Sequence, residues 1–131
     1  MDAMSTETPR ILIVEDDPMI MQMLSQMLKD MGSIERAHDI ESAQRLLRDF
    51  DPHLVLLDLV IPPNDRSGSD LIRMMRSDDQ TRPKPILVVS AASLELLGEA
   101  AKAGADLIIR KPFRMEWLRS DVEVLLRRAG F

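Results

Sequence analysis

Apolar residues in this chain follow two rhythms. Short continuous apolar runs alternate with stretches in which apolar positions recur every three or four residues. The first run, Ile11-Leu12-Ile13-Val14, is apolar throughout and rich in β-branched residues, the pattern of a strand buried on both faces. Asp17-Pro18 then offers a capping carboxylate followed by proline at the first helical position. Ile20, Met23, Leu24, Met27, Leu28 and Met31 repeat at helical spacing, and Gly32 closes that pattern. A weak strand fits 33–38. Asp39 caps a second helix with Ala43, Leu46, Leu47 and Phe50 inward, and Asp51-Pro52 stops it. The run 53–58 is another buried strand, ending in the carboxylate of Asp58. A loop over 59–67 contains Pro62-Pro63, and Gly68 or Ser69 opens a third helix with Leu71, Ile72, Met74 and Met75 inward. The pattern continues with a strand over 85–90, a helix over 93–103 closed by Gly104 and a strand over 106–110. After a turn at Lys111-Pro112, the last helix, 113–128, turns Phe113, Trp117, Leu118, Val122, Leu125 and Leu126 inward.

Five strands alternating with five helices predict an α/β domain with a parallel sheet. The length, 131 residues, suits one domain. Residues 1–9 are polar, end in proline and read as a disordered lead-in, which leaves 10–129 as the domain. Right-handed crossovers place the carboxyl ends of all strands on one edge, and ligands of such sheets bind outside that edge.

That edge collects chemistry. The first strand ends in Glu15-Asp16-Asp17, the third in Asp58, the fourth in Ser90 and the fifth in Lys111. Carboxylates brought together repel unless a cation neutralises them. Oxygen ligands on a tight loop suit Mg²⁺, which binds one or two carboxylates, keeps waters and bridges to phosphate. Lys111 supplies a compact positive charge for phosphate oxygens, and the Ser90 hydroxyl can donate to one. The set suits transfer of a phosphoryl group onto Asp58, with Mg²⁺ and Lys111 offsetting the charge that is transferred.

At this point the chain resembles the receiver domain of bacterial two-component response regulators, from about residue 10 to residue 128. ILIVEDDP resembles that family's first strand and acidic cluster, LVLLDLVIPP its phosphorylation-site strand, PILVVSAAS its switch strand and GADLIIRKPF its closing lysine-proline motif. The resemblance implies the CheY-like, flavodoxin-like fold, a doubly wound five-stranded parallel sheet in the order 2-1-3-4-5. It implies Asp58 as phospho-acceptor, Asp16 as a direct Mg²⁺ ligand alongside Asp58, and Glu15 as a ligand through water. The backbone carbonyl of Val60 would be a further ligand, Ser90 the switch hydroxyl and Lys111 the phosphate-binding lysine, with a cis Lys111-Pro112 bond. Its implied partners are a sensor histidine kinase or a histidine phosphotransfer protein and a downstream protein target. A homodimer through the fourth helix, fifth strand and fifth helix is a further option. On this reading the domain is a switch and no enzyme beyond its own phosphoryl transfer and dephosphorylation.

The chain also departs from the family pattern. Ile108 stands where an aromatic residue often precedes the lysine by three positions, so a rotating ring cannot carry the signal. The loop after Asp58 is about two residues longer before Gly68, and Asp65 and Arg66 lie in that extension. Val60 and Ala92, at flanking positions that can tune hydrolysis, are both apolar and cannot orient an attacking water by hydrogen bonding.

Composition narrows the rest. The apolar runs fall far short of the roughly 20 residues that span a bilayer, no leader opens the chain, and a cytoplasmic protein is expected. Cysteine is absent, which excludes disulfides and thiolate metal sites. A net charge of −5 argues against direct nucleic-acid binding by this domain. The ten methionines read as flexible core filling or as an adaptable surface. Asp17 reads as a helix cap rather than a metal ligand. Ser90 can also be read as a cap for the next helix. His53 begins the strand that Asp58 ends, about 16 Å away at roughly 3.3 Å per residue, and His38 lies at the surface. A phosphatase with an aspartyl-phosphate intermediate needs an acid/base two positions after the nucleophile, where Val60 stands. A flavin domain needs a phosphate-friendly first loop, and Glu15-Asp16-Asp17 repels phosphate. The chain reads either as a free-standing receiver or as the N-terminal receiver fragment of a longer regulator with DNA-binding or enzymatic output.

Overall fold

The computed structural model describes residues 7–131; of the nine-residue lead-in, residues 1–6 lie outside the described residues. The strands are β1 (Arg10–Val14), β2 (Ser33–Ala37), β3 (Leu54–Leu57), β4 (Ile86–Ser90) and β5 (Leu107–Arg110). The helices between and after them are α1 (Pro18–Leu28), α2 (Ile40–Asp49), α3 (Ser67–Ser77), α4 (Leu94–Ala103) and α5 (Met115–Arg128). All neighbouring strands pair in parallel, in the order β2-β1-β3-β4-β5. The chain order reverses between β1 and β3, so the crevice of a doubly wound sheet opens at their carboxyl ends.

Side-chain alternation along the three central strands builds two cores. Leu12, Val14, Val55, Leu57, Ile86 and Val88 face α2, α3 and α4. Ile11, Ile13, Leu54, Leu56, Leu87 and Val89 face α1 and α5. Every residue of β3 and β4 is buried, as a strand covered on both faces must be. The edge strands β2 and β5 are only partly buried, and their polar residues fall there.

Several helix faces differ from the sequence expectation. In α1 the buried line is Met21, Leu24 and Leu28 with Ser25, whereas Met23 is 39% exposed. Apolar side chains surround this helix on several sides, so periodicity alone does not choose the face; the groove over β1 does. Ser25 is tolerated because its hydroxyl donates to the Met21 carbonyl at 2.7 Å. The helix ends at Leu28 with Lys29 as cap, not at Gly32. Gly32 is instead a place of close approach: a Cβ there would lie 3.2 Å from the Pro9 carbonyl carbon. Met74 is 41% exposed and Trp117 55% exposed rather than inward. Leu118, the next residue, takes the buried position, and Arg114 lies over the Trp117 ring. The third helix starts at Ser67, with no side-chain cap from Arg66. Leu59 and Ile61, read as loop, are fully buried and anchor that loop under the core.

Arg76 ties the far side of the sheet together. Its guanidinium donates to the carbonyls of Arg82, Lys84 and Gly104 and to Asp106 at 2.7–3.0 Å. Gly104 ends α4 at φ +122°, a conformation that favours glycine.

His53 sits at the opposite end of the sheet from the acidic cluster. Its Nδ1 accepts the Arg10 N–H at 2.9 Å, and its ring packs edge-on against Phe131. Burial first, then the Arg10 and Lys84 charges, hold its pKa below the ordinary histidine value, against the opposing pull of Glu7 and Asp51. The unfolded chain therefore takes up this proton at a higher pH than the folded one. The contribution is intact above about pH 6.5 and is lost as pH falls toward the folded pKa. Urea denaturation at pH 7.5 and 5.5 is expected to show a larger acid loss for wild type than for His53→Asn; equal losses would contradict it.

Candidate functional site

The parallel ladder delivers five polar side chains to one rim. Asp58 N–H donates to the Val14 carbonyl at 3.0 Å, which sets the end of β3 beside the end of β1. Lys111 N–H donates to the Ser90 carbonyl at 3.0 Å and sets the end of β5 beside β4. Glu15 N–H donates to Ala37 and extends the β1–β2 pairing by one residue. The Lys111-Pro112 bond is cis, as is Pro62-Pro63.

The side chains then meet. Lys111 Nζ donates to Glu15 Oε1 at 2.8 Å and to Asp58 Oδ2 at 3.1 Å. Ser90 Oγ donates to Asp58 Oδ1 at 2.6 Å, and the same oxygen accepts the Val60 N–H at 3.3 Å. Ala92 N–H in turn donates to Ser90 Oγ at 3.2 Å, so that hydroxyl is oriented from both sides. Ser90 does not cap α4; Ser93 does, by accepting the Leu96 N–H. Asp17 is turned to its own helix, accepting the N–H groups of Met19 and Ile20. His38 is exposed, and His53 takes no part in the site.

Glu15, Asp16 and Asp58 each offer a carboxylate oxygen, all within 4.8 Å of one another. Opposite ligands of an octahedral Mg²⁺ lie about 4.2 Å apart, at about 2.1 Å from the ion. The donor set therefore fits a hard divalent cation; within it Asp16 is exposed, Asp58 half-buried and Glu15 buried. Both oxygens of Glu15 are already engaged, one by Lys111 and the other by the Asp17 N–H at 3.1 Å.

Charge in the cluster is unbalanced, with three carboxylates around one ammonium. Burial raises the Glu15 pKa above its ordinary value, and the nearby Asp58 charge adds to this; the Lys111 and Asp17 hydrogen bonds offset only part. For Lys111, burial pulls the other way, but the Glu15 hydrogen bond and the Asp58 and Glu15 charges outweigh it and hold the ammonium above the usual lysine range. Its positive charge is therefore secure at any physiological pH.

Gly68 completes the arrangement from the side of α3. A Cβ there would lie 2.7 Å from the Leu59 carbonyl oxygen and 2.9 Å from that of Asp58, so only glycine lets the first turn of α3 lie on the loop after Asp58. The extended loop reaches further than the sequence reading foresaw. Arg66 crosses to α4 and pairs with Glu99 at 2.5 Å. Neither this pair nor the Lys111–Glu15 contact has a local sequence signal, since the partners lie 33 and 96 residues apart.

Removing Lys111 leaves Glu15 buried without its cation. Lys111→Met is expected to cost about 3 kcal/mol at pH 7.5, as for other broken buried ion pairs. A carboxyl whose folded pKa is raised opposes folding increasingly as pH rises past its unfolded value of 4.5. The cost should therefore be smaller at pH 5 than at pH 7.5, since the raised pKa brings Glu15 closer to its neutral form as pH falls. Chemical denaturation at both pH values checks this, and an unchanged cost would contradict it.

Residues 11–123 match the model of the response regulator receiver domain. The chain is 34% identical over 122 residues to the DNA-binding dual master transcriptional regulator RpaA of Synechocystis sp., covering 92% of this chain and 50% of that protein. It is 35% identical over 121 residues to the transcriptional regulatory protein PhoP of Escherichia coli, covering 91% of this chain and 52% of PhoP. The chain thus spans about half the length of these curated relatives. Among solved structures it resembles a putative response regulator from Chloroflexus aurantiacus, with a TM-score of 0.85 at 27% identity, over 92% of this chain and 99% of that one. It also resembles a CheY-like receiver domain protein from Methanospirillum hungatei, with a TM-score of 0.83 at 26% identity, over 93% and 97% of the two chains. With its sheet order, its acidic rim and a family match over nearly its whole length, the chain belongs to the response regulator receiver domain family.

Proposed function

We propose that this domain is a phosphorylation-controlled switch that accepts a phosphoryl group on Asp58 from a histidine kinase or a histidine phosphotransfer protein. The observation that carries this reading is the convergence of Lys111, Ser90 and the Val60 N–H on one carboxylate beside Glu15 and Asp16. Asp58 is the member of the acidic cluster that Ser90 and Lys111 hold together, one on each oxygen, and its side chain is only 12% exposed. Those donors fix the carboxylate for attack on the donor's phosphorus.

In that step an Asp58 oxygen forms a bond to phosphorus as the phosphorus–nitrogen bond of the donor's phosphohistidine breaks. The electron pair leaves with the imidazole nitrogen. Lys111 and the Ser90 hydroxyl then pass their hydrogen bonds to phosphoryl oxygens. Asp16 and Asp58, the Val60 carbonyl and Glu15 through water would hold Mg²⁺, which when bound supplies positive charge to the transferring oxygens. No acid/base side chain follows Asp58 at Val60, which favours a switch over an enzyme that turns over phosphomonoesters. Val60 is 44% exposed at the mouth of the site and gives an attacking water no hydrogen-bond partner, so slow loss of the phosphoryl group is expected.

Binding of a downstream target then follows from the altered surface. The relatives' greater length favours a second possibility, that this receiver is the N-terminal part of a longer regulator with its own output; RpaA is named a DNA-binding transcriptional regulator and PhoP a transcriptional regulatory protein. The acceptor chemistry is the same in either case.

Incubation with acetyl phosphate and Mg²⁺, followed by intact mass measurement, is expected to show a gain of one phosphoryl group. The gain should vanish in Asp58→Asn and with EDTA. Equal labelling of Asp58→Asn would reassign the acceptor, and labelling of neither protein would contradict the reading.

A further inference from the structure

The loop after Asp58 is joined to α4 by a single ion pair among the described residues, Arg66–Glu99. The loop is not free to drift. Leu59 and Ile61 are buried, Gly68 N–H donates to Leu59, and Gly68 lies against the Asp58 carbonyl. Asn64 and Ser67 close its tip, with Asn64 Oδ1 accepting the Arg66 N–H at 2.9 Å and Ser67 Oγ accepting the Asn64 N–H at 3.1 Å. Arg66 is thus presented from a rigid support, eight residues after the acceptor.

The other end of the pair is poised differently. Glu99 lies midway along α4, its side chain only 25% exposed. One carboxylate oxygen holds the guanidinium; the other is buried and has no hydrogen-bond partner among the described residues. A half-buried carboxylate in this state depends on its one cation. Without Arg66, its charge is relieved only by turning toward water, and α4 must loosen for that to happen.

A phosphoryl group on Asp58 brings additional negative charge to the support that carries Arg66. We propose that Arg66–Glu99 is a latch that holds α4 against the acceptor loop in the unphosphorylated protein and is weakened when the phosphoryl group competes with Glu99 for the guanidinium. The latch rests on the phosphoryl-acceptor reading of Asp58 and gives that site a route to α4. The route requires no aromatic rotation on β5, where Ile108 is half-buried among aliphatic neighbours of the α4 side.

Amide hydrogen exchange across residues 94–103 tests it on the full chain, in wild type, Arg66→Gln, Glu99→Gln and the double variant. Each single variant is expected to speed α4 exchange about fivefold, the upper end for one exposed ion pair. The double variant should add nothing further, because both changes break the same contact. The swapped pair, Arg66→Glu with Glu99→Arg, should restore slow exchange, which separates the latch from a general loss of fold. Wild type phosphorylated with acetyl phosphate and Mg²⁺ should exchange as fast as the unphosphorylated single variants. Additive single effects, or no rescue by the swap, overturn the latch. Phosphoryl uptake with unchanged α4 exchange overturns the latch and leaves the acceptor reading standing. Absence of uptake overturns the acceptor reading and the release step with it.

Discussion

One ammonium stands between two carboxylates at the carboxyl edge of the sheet, and the rest of the site is arranged around it. Lys111 reaches Glu15 on one side and Asp58 on the other. Without it, a buried Glu15 faces Asp16 and Asp58 with no counter-charge of comparable closeness. That constraint explains why the closing strand must deliver a lysine at its end, and why the third carboxylate, Asp16, stays at the surface. The cluster is stable enough to fold and short of positive charge. It is therefore ready for a cation or for chemistry in which a cation and a phosphoryl group arrive together.

The fold serves this arrangement by register more than by any single contact. Parallel pairing fixes Val14 beside Leu57, and Val88 beside both Leu57 and Ile108. The last residue of β4 and the residues that follow β1, β3 and β5 then fall on the same rim. A slip of one residue in any strand would exchange the two cores and withdraw a site side chain in the same stroke. Apolar burial on both faces of β1, β3 and β4 therefore guards the chemistry as well as the stability.

Much of this was legible in the sequence. Continuous apolar runs located β1, β3, β4 and β5, and the polar residue at or just past a run located Asp58, Ser90 and Lys111; β3 and β4, buried on both faces, admit a polar residue only at their ends. Cap chemistry placed Asp17 and Asp39 correctly, whereas α4 is capped by Ser93 and not by Ser90. What was not legible depended on three-dimensional choice. The face of α1 was ambiguous because methionines lie on several sides of it, and Trp117 looked inward because its spacing does not register that the first turn of α5 overhangs an edge strand. The Arg76 network and the Arg66–Glu99 pair join residues about 30 apart through ordinary surface charges, which carry no mark of their partners. Gly32 shows the same limit: its place after a helix suggested a cap, but the Pro9 backbone is what requires it.

Asp58 and its neighbours form an under-neutralised acidic site, and a divalent cation is expected to complete it. The direct measurement is the urea unfolding midpoint as a function of Mg²⁺ concentration, for wild type and the near-isosteric Asp58→Asn. Ligand linkage gives about 2.7 kcal/mol of stabilisation at one hundred times the dissociation constant. Wild type is expected to gain stability of this order as Mg²⁺ rises, and Asp58→Asn to lose most of the gain. An equal Mg²⁺ response in the two proteins, or none in wild type, would contradict it.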